Sequence, residues 1–144
     1  MKKRICFIFL FVSILLCGGC GSSKLKDGFY TAEMSDYSHG WKEYLCIMVK
    51  NDNIVYAEFN SKDPSGFIKA WDNAYMESMY SVEGTYPNEY TRKYVASLIE
   101  TQNPDAVDVV SGASHSGSNF TRLSAAVVEQ AKKGDSSTIK VAAE

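Results

Sequence analysis

Asp108-Val109-Val110-Ser111-Gly112-Ala113-Ser114-His115-Ser116-Gly117-Ser118-Asn119 is a short apolar run that breaks into small hydroxyl residues and glycines. A helical pattern then begins near Phe120. This is the layout of a phosphate cradle. Glycine and alanine let the backbone approach an anion closely, and the free N–H groups of a helix's first turn favour negative charge there. Ser111, Ser114, Ser116 and Ser118 add hydroxyls that can hydrogen-bond a phosphate or be esterified to it. Without a ligand the same residues make a flexible loop, with Ser118 or Asn119 capping the helix that follows.

These residues resemble the signature of the FMN-binding domain family, found in flavoprotein subunits of membrane electron-transfer complexes and in flavin-carrying surface lipoproteins. That signature runs Asp, any, Val or Ile, Ser, Gly, Ala, Ser or Thr, any, Thr or Ser. Asp108, Val110, Ser111, Gly112, Ala113, Ser114 and Ser116 fill those places. The resemblance implies an FMN cofactor bound by Asp108, Ser111, Gly112, Ala113, Ser114 and Ser116. It also implies a flavin transferase as partner, because in the family the last hydroxyl is esterified to the FMN phosphate. Ser116 stands where threonine is usual, so an ester at Ser116 and tight non-covalent binding are both open.

Outward from this stretch, Phe120, Leu123, Val127, Val128 and Ala131 recur at helical spacing and Gly134 stops the helix, leaving a polar tail at 135–144 that is expected to fray. Upstream, Ala106 to Val110 reads as a short strand after the Asn103-Pro104-Asp105 break. Tyr90, Tyr94, Leu98 and their neighbours Val95 and Ile99 predict a helix over 88–101. Phe67 or Ile68, Trp71, Tyr75 and Met79 predict another over 65–80, broken by Gly84 to Pro87.

Before Pro64 the period is two. Phe29 to Met34 is strand one and Tyr37 to Trp41 a loop. Glu43 to Lys50 is apolar on both faces and so reads as a central, covered strand. Asn51-Asp52-Asn53 supplies left-handed turn chemistry, and Ile54 to Phe59 returns as strand three. The pattern is α+β: one small domain, an antiparallel sheet with helices packed on one face.

The N-terminus is a secretory signal. Met1-Lys2-Lys3-Arg4 is basic, Ile5 to Leu16 is apolar and shorter than the roughly 20 residues of a spanning helix, and Gly18-Gly19-Cys20 closes it. This end resembles a bacterial lipobox. Cys20 is the expected lipid acceptor; Cys17 is the alternative, disfavoured by Leu16 before it. The expected organisation is a lipoprotein signal peptide at 1–19, a lipidated tether at 20–26, an FMN-binding domain at 27–134 and the polar tail.

Cleavage removes Lys2, Lys3 and Arg4, which takes the 15 basic residues to 12 against 17 acidic ones, a net charge near −5. Nucleic acid is therefore not an expected partner. Lys24 and Lys26 can sit near anionic head groups. Cys6 and Cys17 leave with the signal and Cys20 takes lipid. Cys46 remains alone, which excludes an internal disulfide and a thiolate metal site.

His39 and His115 are the only histidines and no CxxC or HxxH spacing occurs, so hydrolytic and metal chemistry are poor fits. A flavin ring needs a flat apolar surface, which Trp41, Trp71, Tyr75 or Tyr86 could supply. Asp108 is expected to order the loop by accepting backbone N–H bonds, and His115 to meet a phosphate or ring edge or to lie in solvent. Two functions follow. One is a lipid-anchored extracytoplasmic electron-transfer module, with a membrane reductase or other redox partner. The other is an accessory or surface-antigen lipoprotein that keeps the fold without flavin.

Overall fold

A computed structural model describes residues 24–143. The expected signal peptide with Cys6 and Cys17, and the expected lipid acceptor Cys20, lie outside the described residues. The chain runs β1 (Gly28–Met34), β2 (Lys42–Lys50), β3 (Asn53–Lys62), α1 (Asn73–Glu83), α2 (Pro87–Thr101), α3 (Ser114–Lys133) and β4 (Ile139–Val141), with 3-10 turns at Lys69–Trp71 and Pro104–Ala106. The sheet order is β3-β2-β1-β4. β1, β2 and β3 pair antiparallel, and β4 joins β1 in parallel. The fold is the expected α+β class.

One face of the sheet makes the core. Tyr30, Ala32 and Met34 of β1, Leu45, Ile47 and Val49 of β2, and Ile54, Ala57 and Phe59 of β3 point the same way. They meet Tyr90, Tyr94 and Leu98 of α2 and Phe120, Leu123, Val127 and Ala131 of α3. Alternation at period two and apolar stripes at period 3.6 thus close on each other. Tyr44, Cys46 and Met48, on the other face of β2, are only half-buried. β2 is an interior strand as expected, but it is covered on one side.

The hairpin between β2 and β3 turns at Asn51 and Asp52, whose φ values of 51° and 65° are the left-handed conformations these residues tolerate.

Four elements differ from the sequence reading. The helix expected from Ser65 begins at Asn73, because Asp63 first holds a loop. Its Oδ1 accepts from the N–H groups of Ser65 and Phe67, and Ile68 bridges Lys62. Asp72 is the true cap, accepting from Tyr75 N–H at 3.0 Å. The strand expected at 106–110 is absent, since the edge of β1 is taken by β4.

The last helix begins at Ser114 rather than near Phe120, which places Ser116, Gly117 and Asn119 inside it. Finally, the segment expected to fray contains β4. It is fixed by the Lys140–Glu33 ion pair, by Arg122 donating to the Ala142 carbonyl, and by Ser35 N–H donating to Val141 O at 2.7 Å.

The tether is also shorter than expected. Leu25 N–H donates to Asp52 Oδ1 at 2.6 Å, and Lys26 N–H donates to Ala131 O at 2.9 Å. Residues 25 and 26 are therefore docked on the domain.

Ending the chain at Gly134 removes β4 and uncovers Ala32 and Met34, which are 0% and 3% exposed. The expected result is a lower urea midpoint with a destabilisation of about 1–3 kcal/mol, while far-ultraviolet dichroism still reports the three helices. An unchanged midpoint would show that β4 contributes nothing.

Candidate functional site

The start of α3 is built by the residues beneath it. The Tyr94 hydroxyl accepts from Val110 N–H at 3.0 Å and donates to Ala113 O at 3.1 Å, so one side-chain atom holds both ends of the loop before the helix. Gly112 takes φ +78°, and a Cβ there would lie 2.6 Å from Glu83 O. A Cβ on Gly117 would lie 2.6 Å from that same Tyr94 hydroxyl. Both glycines are thus required by protein packing, a role the motif alone does not reveal.

Ala113 is the N-cap of α3 and offers no side-chain hydrogen bond, and the first turn holds no acid. Gly117 N–H bonds Ala113 O and Ala113 N–H bonds Val110 O. The N–H groups of Ser114, His115 and Ser116 have no acceptor among the described residues. Their residues line a cavity of about 240 Å³, together with Gly112 and Ala113. Glu43, Tyr90, Asn119, Trp41, Tyr75, Lys69 and His39 also line it.

Of the residues expected to bind a cofactor, Gly112, Ala113, Ser114 and Ser116 therefore converge, and His115 joins them. Asp108 and Ser111 do not. Both are exposed, neither lines the cavity, and Asp108 accepts no hydrogen bond among the described residues, contrary to its expected ordering role. Tyr94 orders the loop in its place. Of the aromatic candidates, Trp41 and Tyr75 face the cavity with ring centroids 6.3 Å apart. Trp71 is 68% exposed elsewhere, and Tyr86 packs on Tyr80.

Ser116 is buried in the helix, with its Oγ 3.5 Å from the Tyr90 hydroxyl. Asn119 donates to Glu43 Oε2 at 2.6 Å and lies 3.4 Å from His115 Nε2. Lys69 Nζ sits 4.3 Å from the Tyr75 ring centroid and 5.6 Å from that of Trp41. Sequence reading missed Glu43, Asn119 and Lys69. For Glu43 a signal existed: it is in phase with Leu45, Ile47 and Val49, so a carboxylate had to point inward at the end of β2.

Burial raises the pKa of Tyr90, whose hydrogen bond with Ser116 partly offsets this, while Glu43 nearby raises it further. Burial likewise raises Tyr94. A tyrosine held neutral in the folded state keeps its contribution below the ordinary value of 10.0 and loses it as pH rises beyond that toward the folded value. Alkaline titration of tyrosinate absorbance is expected to show a group of tyrosines ionising only as the protein unfolds; complete ionisation near pH 10 with the fold intact would refute this.

Tyr94→Phe leaves the Val110 N–H and Ala113 carbonyl without their shared partner. The expected cost is about 1–3 kcal/mol, measured by urea denaturation. Hydrogen exchange is expected to quicken at the start of α3, and a cost near zero would show that water replaces the hydroxyl.

No family model matches the chain. It is 32% identical over 126 residues to the 15 kDa lipoprotein of Treponema pallidum (strain Nichols), covering 87% of this chain and 89% of that protein. It is similar to a Clostridium perfringens protein of known crystal structure, with a TM-score of 0.80 and 35% identity over 83% of this chain and 99% of that one. A Clostridium thermocellum protein solved by NMR aligns with a TM-score of 0.50 and 26% identity over 74% of this chain and 92% of that one. An extended match of this identity, across nearly the whole of each sequence, places the chain in the family of the Treponema pallidum 15 kDa lipoprotein.

Proposed function

We propose that this lipoprotein is anchored by acylated Cys20 at the outer face of the cell membrane and carries FMN as an electron-transfer module. One observation carries the reading. α3 begins without a side-chain cap, and Ser114, His115 and Ser116 of its first turn line one cavity together with the Trp41–Tyr75 pair. An uncapped helix of 20 residues is a place where a phosphate dianion is stabilised by the N–H groups and the helix dipole. Lys69 brings a positive charge to the same cavity, and the buried Glu43 accepts from Asn119.

The donor set fits a phosphate. Ser114, His115 and Ser116 would hold it, and Trp41 and Tyr75 would supply an apolar surface beside it. The cavity lies below the roughly 300–1,000 Å³ usual for ligand pockets, so it suits a phosphorylated chain and only part of a three-ring system. FMN, when bound, supplies one- and two-electron redox chemistry. The protein's part is to hold it, limit its exposure and present it to a membrane reductase or another redox partner. If a flavin transferase acts on the chain, the Ser116 Oγ is the expected acceptor, losing its proton as the phosphoester forms and AMP leaves FAD.

A second reading, an accessory lipoprotein without flavin, is favoured by a specific observation: Gly112 and Gly117 are both accounted for by contacts within the protein.

Expression with and without a flavin transferase, followed by denaturation, separates the cases. Fluorescence retained on the polypeptide and abolished by Ser116→Ala is expected for the ester. Flavin released on denaturation indicates non-covalent binding. A colourless protein that binds no FMN in titration leaves the accessory reading. Ser116→Ala removes only a 3.5 Å hydrogen bond, so its stability is expected to change by about 1 kcal/mol or less.

A further inference from the structure

The end of the sheet away from the cavity carries an apolar row that no helix covers. Phe29 is 60% exposed, Tyr56 48% and Val55 45%. Phe29 pairs with Met48 and Met48 with Tyr56, so the three residues cross β1, β2 and β3 in one line on the open face. At about 4.8 Å between strands, the line spans roughly 10 Å. Val55 is the extra residue where the β2–β3 register shifts, between Ile54 opposite Val49 and Tyr56 opposite Met48. A single exposed apolar side chain is ordinary, whereas a contiguous row of them calls for a partner.

The place where the chain enters the domain indicates that partner. Leu25 N–H bonds Asp52 Oδ1, and Asn51 N–H bonds Asp27 Oδ1 at 2.7 Å. Residues 25–27 are therefore tied to the β2–β3 turn, and Phe29, Met48 and Tyr56 lie only a few residues along their strands from it. Cys20, which bears lipid in the lipoprotein reading on which this inference rests, precedes Lys24 by four residues. Four residues reach at most about 14 Å. Lys24 and Lys50, both exposed, flank the same corner and balance the carboxylates of Asp27 and Asp52 there.

We propose that Phe29, Val55 and Tyr56 form a lipid-contact face, resting on the bilayer surface to which acylated Cys20 ties the chain. Three side chains would bind a membrane weakly in a free protein. In an anchored one the encounter is intramolecular, and the high effective concentration makes a weak contact sufficient to set orientation. Phenylalanine and valine meet the acyl boundary, and tyrosine suits the interface with its polar tip toward water. The domain stands with this corner down and the start of α3 away from the lipid.

The test uses the acylated full chain in phosphatidylethanolamine–phosphatidylglycerol vesicles, with and without brominated acyl chains. The two native tryptophans, Trp41 beside the cavity and Trp71 beside Ala57–Asn60 of β3, set the parent quenching against which each introduced tryptophan is compared. Flotation with the vesicles is measured first. Phe29→Trp, and independently Tyr56→Trp in case one variant folds poorly, is expected to show quenching by brominated lipid well above that of the parent protein. Replacing both positions with serine is expected to leave flotation intact and to loosen the domain's orientation, read as increased protease access to the β2–β3 turn. A chain that floats with both introduced tryptophans unquenched overturns this inference alone, as does a row shielded by a second copy in cross-linking. A chain that fails to float overturns the lipoprotein reading with it.

Discussion

The hydroxyl of Tyr94 joins two parts of the molecule that have different physical demands. Its ring is part of the core, stacked on Phe120 at 5.2 Å and edge-on to Phe59 at 6.1 Å. Its oxygen reaches out of that core to hold Val110 N–H and Ala113 O. Loop backbone that packs against a core needs its polar groups satisfied, and here one buried oxygen serves both a donor and an acceptor. Because the ring is fixed by packing, the loop is fixed too, and with it the point at which α3 begins. The uncapped turn at Ser114 is thus a consequence of core packing.

That dependence explains what could be read from the sequence and what could not. The strands were legible because Leu45, Ile47 and Val49 alternate and because Asn51-Asp52 can turn only in a few ways. The existence of α2 and α3 followed from their apolar stripes, and Gly84 and Gly134 marked helix ends that take left-handed φ. The start of α3 was misplaced because serine and glycine at 114–118 have weak helix propensity, and tertiary support from Tyr90 and Tyr94 overrides it. Nothing local to Ser114 announces a tyrosine twenty residues upstream.

The candidate site divides in the same way. Gly112, Ala113, Ser114 and Ser116 could be found because they are adjacent in the chain and form a motif. Glu43 comes from β2, Lys69 from the segment after β3 and Asn119 from the second turn of α3, and only the fold brings them to one cavity. The motif's Asp108 and Ser111 point elsewhere, which shows that membership of a contiguous pattern does not by itself assign a side chain to a site. β4 was missed for a related reason: Ile139-Lys140-Val141 is too short to carry a periodic signal, and what makes it a strand is an edge of β1 with buried Glu33 beside it.

α3 connects the two ends of the domain. It runs from Ser114 to Lys133, whose carbonyl oxygen accepts from Lys26 Nζ at 2.9 Å. Twenty residues of α-helix span about 30 Å, several times the roughly 8 Å Debye length at physiological ionic strength. A charged bilayer at the Lys26 end is therefore electrostatically invisible at Ser114. In the proposed orientation, an anion bound there would feel the ionic strength and pH of the surrounding medium and not those of the head-group layer, and its affinity would not depend on the lipids beneath.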